Sequence, residues 1–571
     1  MADTATKPTQ SIELHEIEEE RPIQILLADA DSNTFTLDKE ALHKVIKRIP
    51  DHIPVSILSV VGAFRSGKSF ILDFFLRFLR YAKDTKHLIP TAVGKIPEWM
   101  HYGGDILEGS SKGTDQKGFS YRGGSERNTQ GIWMWSEPFV LQSDAVKEGK
   151  MCVLLVDTQG LFDGFTGQHL TTSIFGLSTL LSSYQIYNID KRLQEDNLQH
   201  LALFSEYSRV VFNGDDSKRL SMTLSSRSLL PSSSDSLLEA AARKEEAIAD
   251  QQKQMAPFQQ LDFLVRDWQN FADESNFKQC LQEMDKYKED FLKKRSAEDL
   301  RETRDQIELC YQRIGVFLLP HPGKEVTRQT FDGSLEKVDP EFLRFVGFYV
   351  EHIFLNALRP KLINNDVLFA DDFEAFAVAY GEMFSKAQLF PKALTILGAT
   401  AEVNNQNASR TALELYKGSM GAAVNEDNGF LSDDKFKALH EQSLKEALDL
   451  FKKRATMGDK EKIHQHLETL TANIEIEHQR YLEENKARDP IAWLATYIVP
   501  VSIAIIAYLT NLVLSTICGP WSMTCRTTSN FFTSLAMLII FSIILSNWKK
   551  LVKLYLAASA AFKTLNTRNS N

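Results

Sequence analysis

Short apolar runs alternate with helical patterns from Val55 to about Pro320, as in an α/β domain. A helix is predicted at residues 69–81, directly after the first apolar run. Strands are predicted at residues 55–61, 152–156, 263–265 and 316–319. From about residue 339 to residue 488 the strand signals stop and long helical patterns follow. We therefore predict an α/β domain at residues 51–335, followed by a helical region.

The segment Lys460–Asn485 shows the helical pattern most clearly. Its apolar residues recur at three-, four- and seven-residue steps: Ile463, Leu467, Leu470, Ile474 and Tyr481. One apolar face on each long helix is typical of a helical bundle. We expect this bundle to occupy residues 336–489.

Two polar stretches are not expected to join these folded regions. Residues 1–50 begin polar and then become acidic, which predicts a mostly disordered arm. Residues 213–256 are rich first in Ser and then in Ala, Glu, Lys and Gln. They predict a flexible surface insertion that tolerates phosphorylation.

Two apolar segments near the C-terminus exclude charge almost completely. Between residues 490 and 548 the only charged residue is Arg526. We expect one membrane span at Ile491–Leu514 and a shorter one at Phe531–Trp548, near the lower limit of length. A soluble core rarely excludes charge this completely, so a buried helix pair is the weaker alternative. The pattern predicts a membrane hairpin over residues 490–548.

The flanking charges predict the orientation of this hairpin. Lys486 and Arg488 precede it, and Lys549, Lys550 and Lys553 follow it, so the positive-inside rule places both termini in the cytosol. The loop between the spans either reaches the far side or stays as a wedge in the bilayer. Residues 549–571 place apolar side chains on one helical face and lysines on the other, which predicts an amphipathic tail at the membrane surface.

Charge and cysteine content change the picture only slightly. The net charge of −10 over 571 residues gives no global basic excess, so we expect no nucleic-acid partner. None of the five cysteines has metal-ligand spacing. Cys518 and Cys525 lie between the spans, where a disulfide and two free thiols are equally compatible with the sequence.

A phosphate-binding loop occupies Gly62–Ser69, between the first strand and its helix. Gly62 and Gly67 let the backbone curl, so that its N–H groups point at a β-phosphate. Lys68 would reach the β and γ oxygens, and Ser69 offers its hydroxyl to Mg²⁺.

A second motif, Asp157–Gly160, follows the strand at residues 152–156 and fits the D-x-x-G pattern. Asp157 is the expected carboxylate for Mg²⁺, and the N–H of Gly160 would sense the γ-phosphate. Thr129 is our choice for the other Mg²⁺ contact, with Thr114 as a competitor.

Base recognition and hydrolysis need further residues. The common N/T-K-x-D base-reading motif is absent, and Arg266-Asp267 after a strand is placed to replace it. Asp267 would accept hydrogen bonds from the guanine N1–H and amino group; a surface ion pair is the alternative. Leu161 stands where small signalling GTPases carry glutamine. Arg65, inside the phosphate loop, is placed to act as an arginine finger in cis, with a surface tether as the alternative.

Taken together, these residues resemble the atlastins, dynamin-superfamily GTPases that fuse endoplasmic reticulum membranes. The resembling stretches are residues 62–70, 119–127, 157–160, 264–268, 317–323 and 399–405. The resemblance implies a dynamin-like α/β P-loop GTPase domain, then an α-helical bundle and a two-helix membrane hairpin. Ser66 and Gln130 depart from residues expected in many members, as does the insertion at 213–256.

The resemblance also implies a set of functional residues. Arg65, Lys68 and Thr129 would be catalytic, and Ser69, Thr129 and Asp157 would hold Mg²⁺. The nucleotide-binding residues would be Gly62, Ala63, Phe64, Arg65, Ser66, Gly67, Lys68, Ser69, Phe70, Arg122, Asp157, Gly160, Arg266 and Asp267. Arg122 would couple the first switch to pairing of two GTPase domains.

The implied function is GTP-dependent homodimerisation in trans, between opposed endoplasmic reticulum membranes. Helical-bundle crossover would then fuse the bilayers at tubular network junctions, and the tail helix would disturb lipid packing. One alternative is a nucleotide-switched tether, or a hairpin protein that curves membranes without fusing them. A lipid-anchored guanylate-binding defence GTPase is disfavoured, because residues Thr567–Asn571 contain no prenylation cysteine.

Overall fold

The structure is a computed structural model in which the chain forms two compact units. The first comprises residues 1–407 and 457–459, and the second comprises residues 408–456 and 460–571. The structure describes residues 20–29, 34–85, 88–107, 109, 118–121, 130–147, 149–161, 168–202, 256–293, 298–386, 393–424, 430–488, 497–517, 523–546 and 548.

A nine-stranded mixed sheet forms the centre of the first unit. Its strands are β1 (Pro22–Asp29), β2 (Thr34–Leu37), β3 (Val55–Gly62), β4 (Ile132–Trp135), β5 (Phe139–Gln142), β6 (Lys150–Thr158), β7 (Tyr184–Asp190), β8 (Phe258–Trp268) and β9 (Tyr311–Pro320). The order is β2-β1-β4-β6-β3-β7-β8-β9, with β5 paired to β6. Strands β6, β3, β7, β8 and β9 are mutually parallel, so their carboxyl ends meet at one edge of the sheet.

The predicted strands are confirmed within β3, β6, β8 and β9. All eight residues of β3 are buried, as expected for a central parallel strand covered on both faces. Strand β7 was not predicted, because Gln185 and Asn188 interrupt its apolar run. Both side chains are buried and hydrogen bonded in the fold, so tertiary contacts supply what the local pattern lacks.

The helices that contribute to the first unit are α1 (Lys39–Ile46), α2 (Lys68–Asp84), α3 (Gln168–Leu181), α4 (Glu195–Ala202), α5 (Phe277–Leu292), α6 (Glu298–Cys310), α7 (Pro340–Glu351), α8 (Ala370–Lys386) and α9 (Ala393–Ala423). The predicted helix at 69–81 is confirmed as α2, which is buried along most of its length. Even Arg77 is buried, and its guanidinium donates to the carbonyls of Met100, Gly104 and Ile106. These contacts fix the helix that carries the phosphate loop.

The expectation that residues 1–50 are mostly disordered is wrong for the part that the structure describes. Residues 22–29 form β1, residues 34–37 form β2 and residues 39–46 form α1, and Leu26, Leu42 and Val45 are fully buried. Strand β1 pairs with β4 across more than a hundred residues of sequence, so its apolar side chains gain a partner that local composition does not reveal. Residues 1–19 lie outside the described residues.

The predicted boundary at residues 335/336 also differs from the structure. The first compact unit extends to Asn407, because α7 and α8 pack on the sheet rather than in the bundle. Glu351, at the end of α7, is buried and accepts hydrogen bonds from Thr91 and from the indole of Trp99. The sequence change from strands to helices therefore does not mark the end of the first unit.

Three long helices form the described bundle of the second unit: the C-terminal part of α9, α10 (Asp433–Arg454) and α11 (Lys460–Ala487). The predicted apolar face of α11 is confirmed, with Leu470, Ile474 and Tyr481 buried in the bundle core. The Asn485 amide exchanges two hydrogen bonds of 2.9 Å with the backbone of Leu431. This contact ties the start of α10 to the last turn of α11.

Two apolar helices follow, α12 (Ile498–Ile517) and α13 (Met523–Ser546). They contain apolar stretches with mean hydropathy of 2.0 and 1.9, each 20 residues long and sufficient to cross a bilayer. The two helices contact each other through Ala504, Ala507 and Ala536, and Ser529 hydrogen bonds to Asn511. Small residues and polar pairs are the usual contacts between helices in a membrane.

The second span, Thr527–Ser546, differs from the predicted Phe531–Trp548, because it begins four residues earlier and ends two residues earlier, within a helix that starts at Met523. Thr, Ser and Asn residues at its start are compatible with a helix although they are not apolar. The described first span, Ile498–Ile517, overlaps the predicted Ile491–Leu514. The insertion up to residue 255 and the predicted tail helix at 549–571 lie outside the described residues.

Candidate nucleotide-binding site

The phosphate loop, Gly62–Ser69, connects the end of β3 to the start of α2. Arg65 and Gly67 have left-handed backbone angles, with φ of 61° and 74°. The carbonyl of Gly62 accepts the N–H of Leu161 at 3.0 Å, and the carbonyl of Ala63 accepts the N–H of Ser66 at 3.3 Å. Because protein donors engage these carbonyls, the remaining N–H groups of the loop can face a ligand.

Helix α2 begins at this loop without a side-chain cap, since its N-cap is Gly67. In the described part of the chain, no carbonyl accepts the N–H groups of Gly67, Lys68 and Ser69. Unpaired N–H groups at a helix N-terminus, together with the helix dipole, favour an anion. The geometry therefore fits a phosphate group at this end of α2.

Lys68 provides the buried cation of the loop. Its ammonium donates to the carbonyls of Gly62 and Ala63, at 3.3 and 3.1 Å. Burial lowers the pKa of Lys68 to about 8, although the nearby carboxylate of Asp157 acts to raise it. A bound phosphate would place negative charge beside this ammonium and so favour its charged form.

This pKa predicts a pH dependence of nucleotide affinity. We expect the affinity for GDP to fall as the pH rises through about 8, by up to about tenfold per pH unit. Bound phosphates keep the ammonium charged, so above this pH the complex holds more protons than the free protein.

Titration with a fluorescent GDP analogue between pH 7 and pH 9 measures the effect. The Lys68→Arg variant is the control, because its guanidinium stays charged and its weaker affinity should not vary with pH. A constant wild-type affinity over this range would contradict the assignment.

Ser69 and Asp157 form the next part of the site. The Ser69 hydroxyl donates to the Asp157 carboxylate at 2.6 Å, and both side chains are buried. Mg²⁺ prefers oxygen ligands and is usually held by one or two side chains together with substrate phosphates. A hydroxyl and a carboxylate beside a phosphate cradle are a donor set that fits this ion.

Gly160 brings the D-x-x-G segment against the phosphate loop. The N–H of Phe64 donates to the carbonyl of Leu161 at 2.9 Å, beside the Leu161–Gly62 bond. A Cβ atom at Gly160 would lie 2.5 Å from the Phe64 Cα atom. Only glycine therefore fits this contact between the two segments.

Gln159 joins the same segment to the start of β4. Its side-chain oxygen accepts the N–H of Gly131 at 2.9 Å, and its own N–H donates to the Gly131 carbonyl at 2.7 Å. Gly131 directly follows the stretch that contains the predicted Arg122 and Thr129. The two hydrogen bonds therefore couple the exit of that stretch to the segment that begins at Asp157.

The predicted base-reading pair lies at the end of β8. Arg266 donates to the Asp267 carboxylate at 2.8 Å and approaches Asp190 at 3.5 Å. Asp267 has a left-handed φ of 56°, and its buried Oδ1 atom has no hydrogen-bond partner among the described residues. Burial raises the pKa of Asp267, and Arg266 opposes that shift. An acceptor that is buried and unpaired fits a ligand that brings N–H donors.

Most of the predicted nucleotide-binding residues line one cleft. These are Phe64, Arg65, Ser66, Gly67, Lys68, Ser69, Phe70, Gly160, Arg266 and Asp267. Gly62 and Ala63 lie behind it and accept hydrogen bonds from Lys68, and Asp157 contacts Ser69. Arg122, Thr129 and the competing Thr114 lie outside the described residues.

The cleft also contains residues that sequence reasoning missed. After β9, the chain contributes Pro322, Val326 and Thr327 to the lining of the cleft that also contains Asp267. The segment at 317–323 was noted for its resemblance, but not as part of the site. Asn188 in β7 was missed as well, and it contacts the phosphate loop. The Tyr- and Ile-rich stretch around it would have signalled a strand.

Comparisons with known proteins agree with this geometry. A family model described as the N-terminal domain of guanylate-binding proteins matches residues 32–233 and 228–362. Atlastin-2 of Xenopus laevis is 33% identical over 481 residues, which cover 83% of this chain and 72% of that protein. The chain belongs to the atlastin family. Atlastin-3 of Homo sapiens is 32% identical over 483 residues, covering 83% of this chain and 77% of that protein.

Membership in the atlastin family establishes the type of enzyme. The chain is a dynamin-superfamily GTPase, a hydrolase that acts on GTP. Its α/β domain, helical region and two apolar helices are the predicted fold class. Atlastin similarity also implies self-association and association with a membrane, and α12 and α13 fit a hairpin in that membrane.

Proposed function

We propose that this GTPase tethers and fuses endoplasmic reticulum membranes through GTP-dependent homodimerisation in trans, generating tubular network junctions. One observation carries the proposal: a single chain holds both an uncapped phosphate cradle and a pair of apolar helices long enough to span a bilayer. A nucleotide cycle in the first unit would then act on lipid through the second. Crossover of the helical bundles after pairing is the step that would draw the bilayers together.

Within this proposal the described residues divide the work of binding GTP. The N–H groups at the start of α2 and the Lys68 ammonium hold the phosphates. Ser69 and Asp157 would hold Mg²⁺, which neutralises charge on the β and γ oxygens when bound; Thr129 is the proposed third ligand. Asp267 would accept hydrogen bonds from the N1–H and amino group of guanine through its free Oδ1 atom.

Arg65 is the proposed source of charge compensation during hydrolysis. Its side chain is exposed, and its left-handed backbone places it on the rim of the cleft. Non-glycine residues in this conformation carry a strain that is often found at functional sites. Pairing with a second copy would order this guanidinium over the transferred phosphoryl group, and Arg122 would couple the first switch to that pairing.

The proposal places both termini in the cytosol and the protein in the endoplasmic reticulum membrane. The apolar helices α12 and α13 would cross the bilayer, and the lysines at 549–553 would stay on the cytosolic side. The amphipathic tail would lie in the cytosolic leaflet of the bilayer and disturb the packing of its lipids.

The proposal is tested by reconstituting the full chain into two vesicle populations and measuring lipid mixing. We expect mixing with GTP and Mg²⁺ and none with GDP. Vesicles that cluster under GTP without exchanging lipid would contradict fusion and favour the alternative of a nucleotide-switched tether.

The Arg65→Ala variant further distinguishes membrane fusion from nucleotide-switched tethering. We expect this variant to lose both dimer-stimulated GTP hydrolysis and lipid mixing, because both depend on the same guanidinium. Phosphate release and lipid mixing are measured on the same vesicles. Arg301→Ala removes an exposed arginine from α6 and serves as the control. If Arg65→Ala vesicles still fuse at the wild-type rate, hydrolysis does not drive fusion.

A further inference from the structure

Asn188 is a fully buried side chain that touches the phosphate loop from the neighbouring strand β7. Its Nδ2 atom donates to the carbonyl of Ser66 at 2.7 Å. The backbone of the same residue is close to the loop as well, because a Cβ atom at Gly62 would lie 2.2 Å from the Asn188 carbonyl oxygen. Strand β7 therefore contacts the loop at its first residue, Gly62, and again at Ser66.

The hydrogen bond to Ser66 determines which way one peptide group points. The Ser66 carbonyl and the Gly67 N–H belong to the same planar trans peptide, so they point in opposite directions. With the carbonyl held on Asn188, the Gly67 N–H faces away from β7. That N–H has no protein acceptor among the described residues and lies at the N-terminus of α2.

The backbone on either side of Ser66 makes the orientation of the Ser66–Gly67 peptide important for phosphate binding. Arg65 and Gly67 both have positive φ, so the residues on either side of Ser66 adopt the left-handed backbone conformation. Rotation of the peptide by half a turn would point a carbonyl, rather than an N–H, at the phosphate position. A donor on β7 disfavours that rotation, because the buried Asn188 amide would then lose its 2.7 Å acceptor and keep only the Ser66 hydroxyl at 3.4 Å.

We propose that Asn188 is a positioning residue for phosphate binding: its amide holds the Ser66–Gly67 peptide so that the Gly67 N–H faces the phosphate. This inference rests on the proposed nucleotide site and adds a residue that does not line the phosphate cleft itself. Asn188 acts through the loop and does not touch the nucleotide. The role requires a donor at this position, which an amide supplies and an ionised carboxylate does not.

Asn188→Asp tests the donor requirement with almost no change of shape. The full chain in detergent is titrated with GDP and, by competition, with guanosine, which has the base but no phosphate. We expect the affinity for GDP to fall at least tenfold and the affinity for guanosine to stay within twofold of wild type. Asn270→Asp adds the same charge to an exposed position at the same edge of the sheet and should change neither affinity by more than twofold.

Two results would overturn the role of Asn188. One is a GDP affinity of Asn188→Asp within threefold of wild type; the other is an equal loss of GDP and guanosine affinity, which indicates general damage to the site. If Asn188→Asp does not fold, Asn188→Ala, which removes the donor without adding charge, is judged by the same two affinities. The wild-type chain is measured first, because a failure of wild type to bind GDP would reject the proposed site and not this residue.

Discussion

Replacing Gly160 by alanine is expected to reduce GTP hydrolysis by about 100-fold or more, since displacing catalytic groups by about 1 Å has an effect of this size. The added Cβ atom would lie 2.5 Å from the Phe64 Cα atom and 3.0 Å from its Cβ atom. Both are parts of the phosphate loop, so the contact can be relieved only by moving backbone. The movement separates the D-x-x-G segment from the loop that holds the phosphates.

Single-turnover phosphate release at saturating GTP measures this effect. Gly398→Ala is the matched control, because Gly398 lies in helix α9 and a Cβ atom there meets nothing within 4 Å. Alanine is favoured over glycine inside a helix, so this control should be at least as stable as wild type and fully active. Hydrolysis by Gly160→Ala at a third or more of the wild-type rate would contradict the predicted clash.

Lys361→Met is expected to stabilise the first compact unit near neutral pH. Lys361 is buried, and its ammonium makes one hydrogen bond in the described part of the chain, to the Ser182 carbonyl at 2.7 Å. Burial lowers the pKa of Lys361 from 10.5 to about 7. Folding therefore has to place a charge in the core below pH 7, or remove a proton between pH 7 and pH 10.5.

The sign of the effect follows from proton binding. Between these pH values the unfolded chain holds more protons than the folded chain, so wild-type stability rises with pH by about 1.4 kcal/mol per unit from this group. Below pH 7 the full penalty is present, roughly 4–5 kcal/mol. Methionine removes it but leaves the Ser182 carbonyl without its donor, which costs about 1–3 kcal/mol. The net gain should be about 2–3 kcal/mol near pH 6.5 and close to zero near pH 9.

Denaturant unfolding of the full chain in detergent, at pH 6.5 and pH 9, measures this difference. Lys278→Met changes an exposed lysine on α5 in the same way and should alter stability little at either pH. A stability difference between wild type and Lys361→Met that does not depend on pH would show that Lys361 is not buried as an uncompensated amine.

The sequence alone predicted the stretches that line the cleft more completely than the fold around it. Gly62–Ser69 and Asp157–Gly160 are short continuous motifs, and each carries its predicted binding residues within a few positions of one another. β3 is buried throughout and β6 is buried except at Lys150, so their apolar runs were visible without a partner. Strands β1, β2, β4 and β5 were missed because they are short or lie near the edge of the sheet. Such strands need not be apolar on both faces, so their sequences show no continuous apolar run.

The proposed base-reading pair shows where the sequence prediction reached its limit. The position of Arg266-Asp267 after a strand was sufficient to select the pair. The bulge in β8 that gives Asp267 its left-handed backbone depends on pairing with β9. The part of the cleft lined by Pro322, Val326 and Thr327 follows β9 in the chain, so it likewise depends on where the fold places that strand.

What the sequence determined by itself is the phosphate-loop motif, the D-x-x-G motif and the two apolar segments, because composition and spacing over a short stretch are enough to specify each. Only the tertiary structure decided that β1 and β2 join the sheet, that the first unit extends to Asn407, and that Asn188 holds Ser66. The last contact joins residues 122 positions apart. Such contacts depend on strand order and register, which are set by burial of the whole sheet and leave no local pattern in the chain.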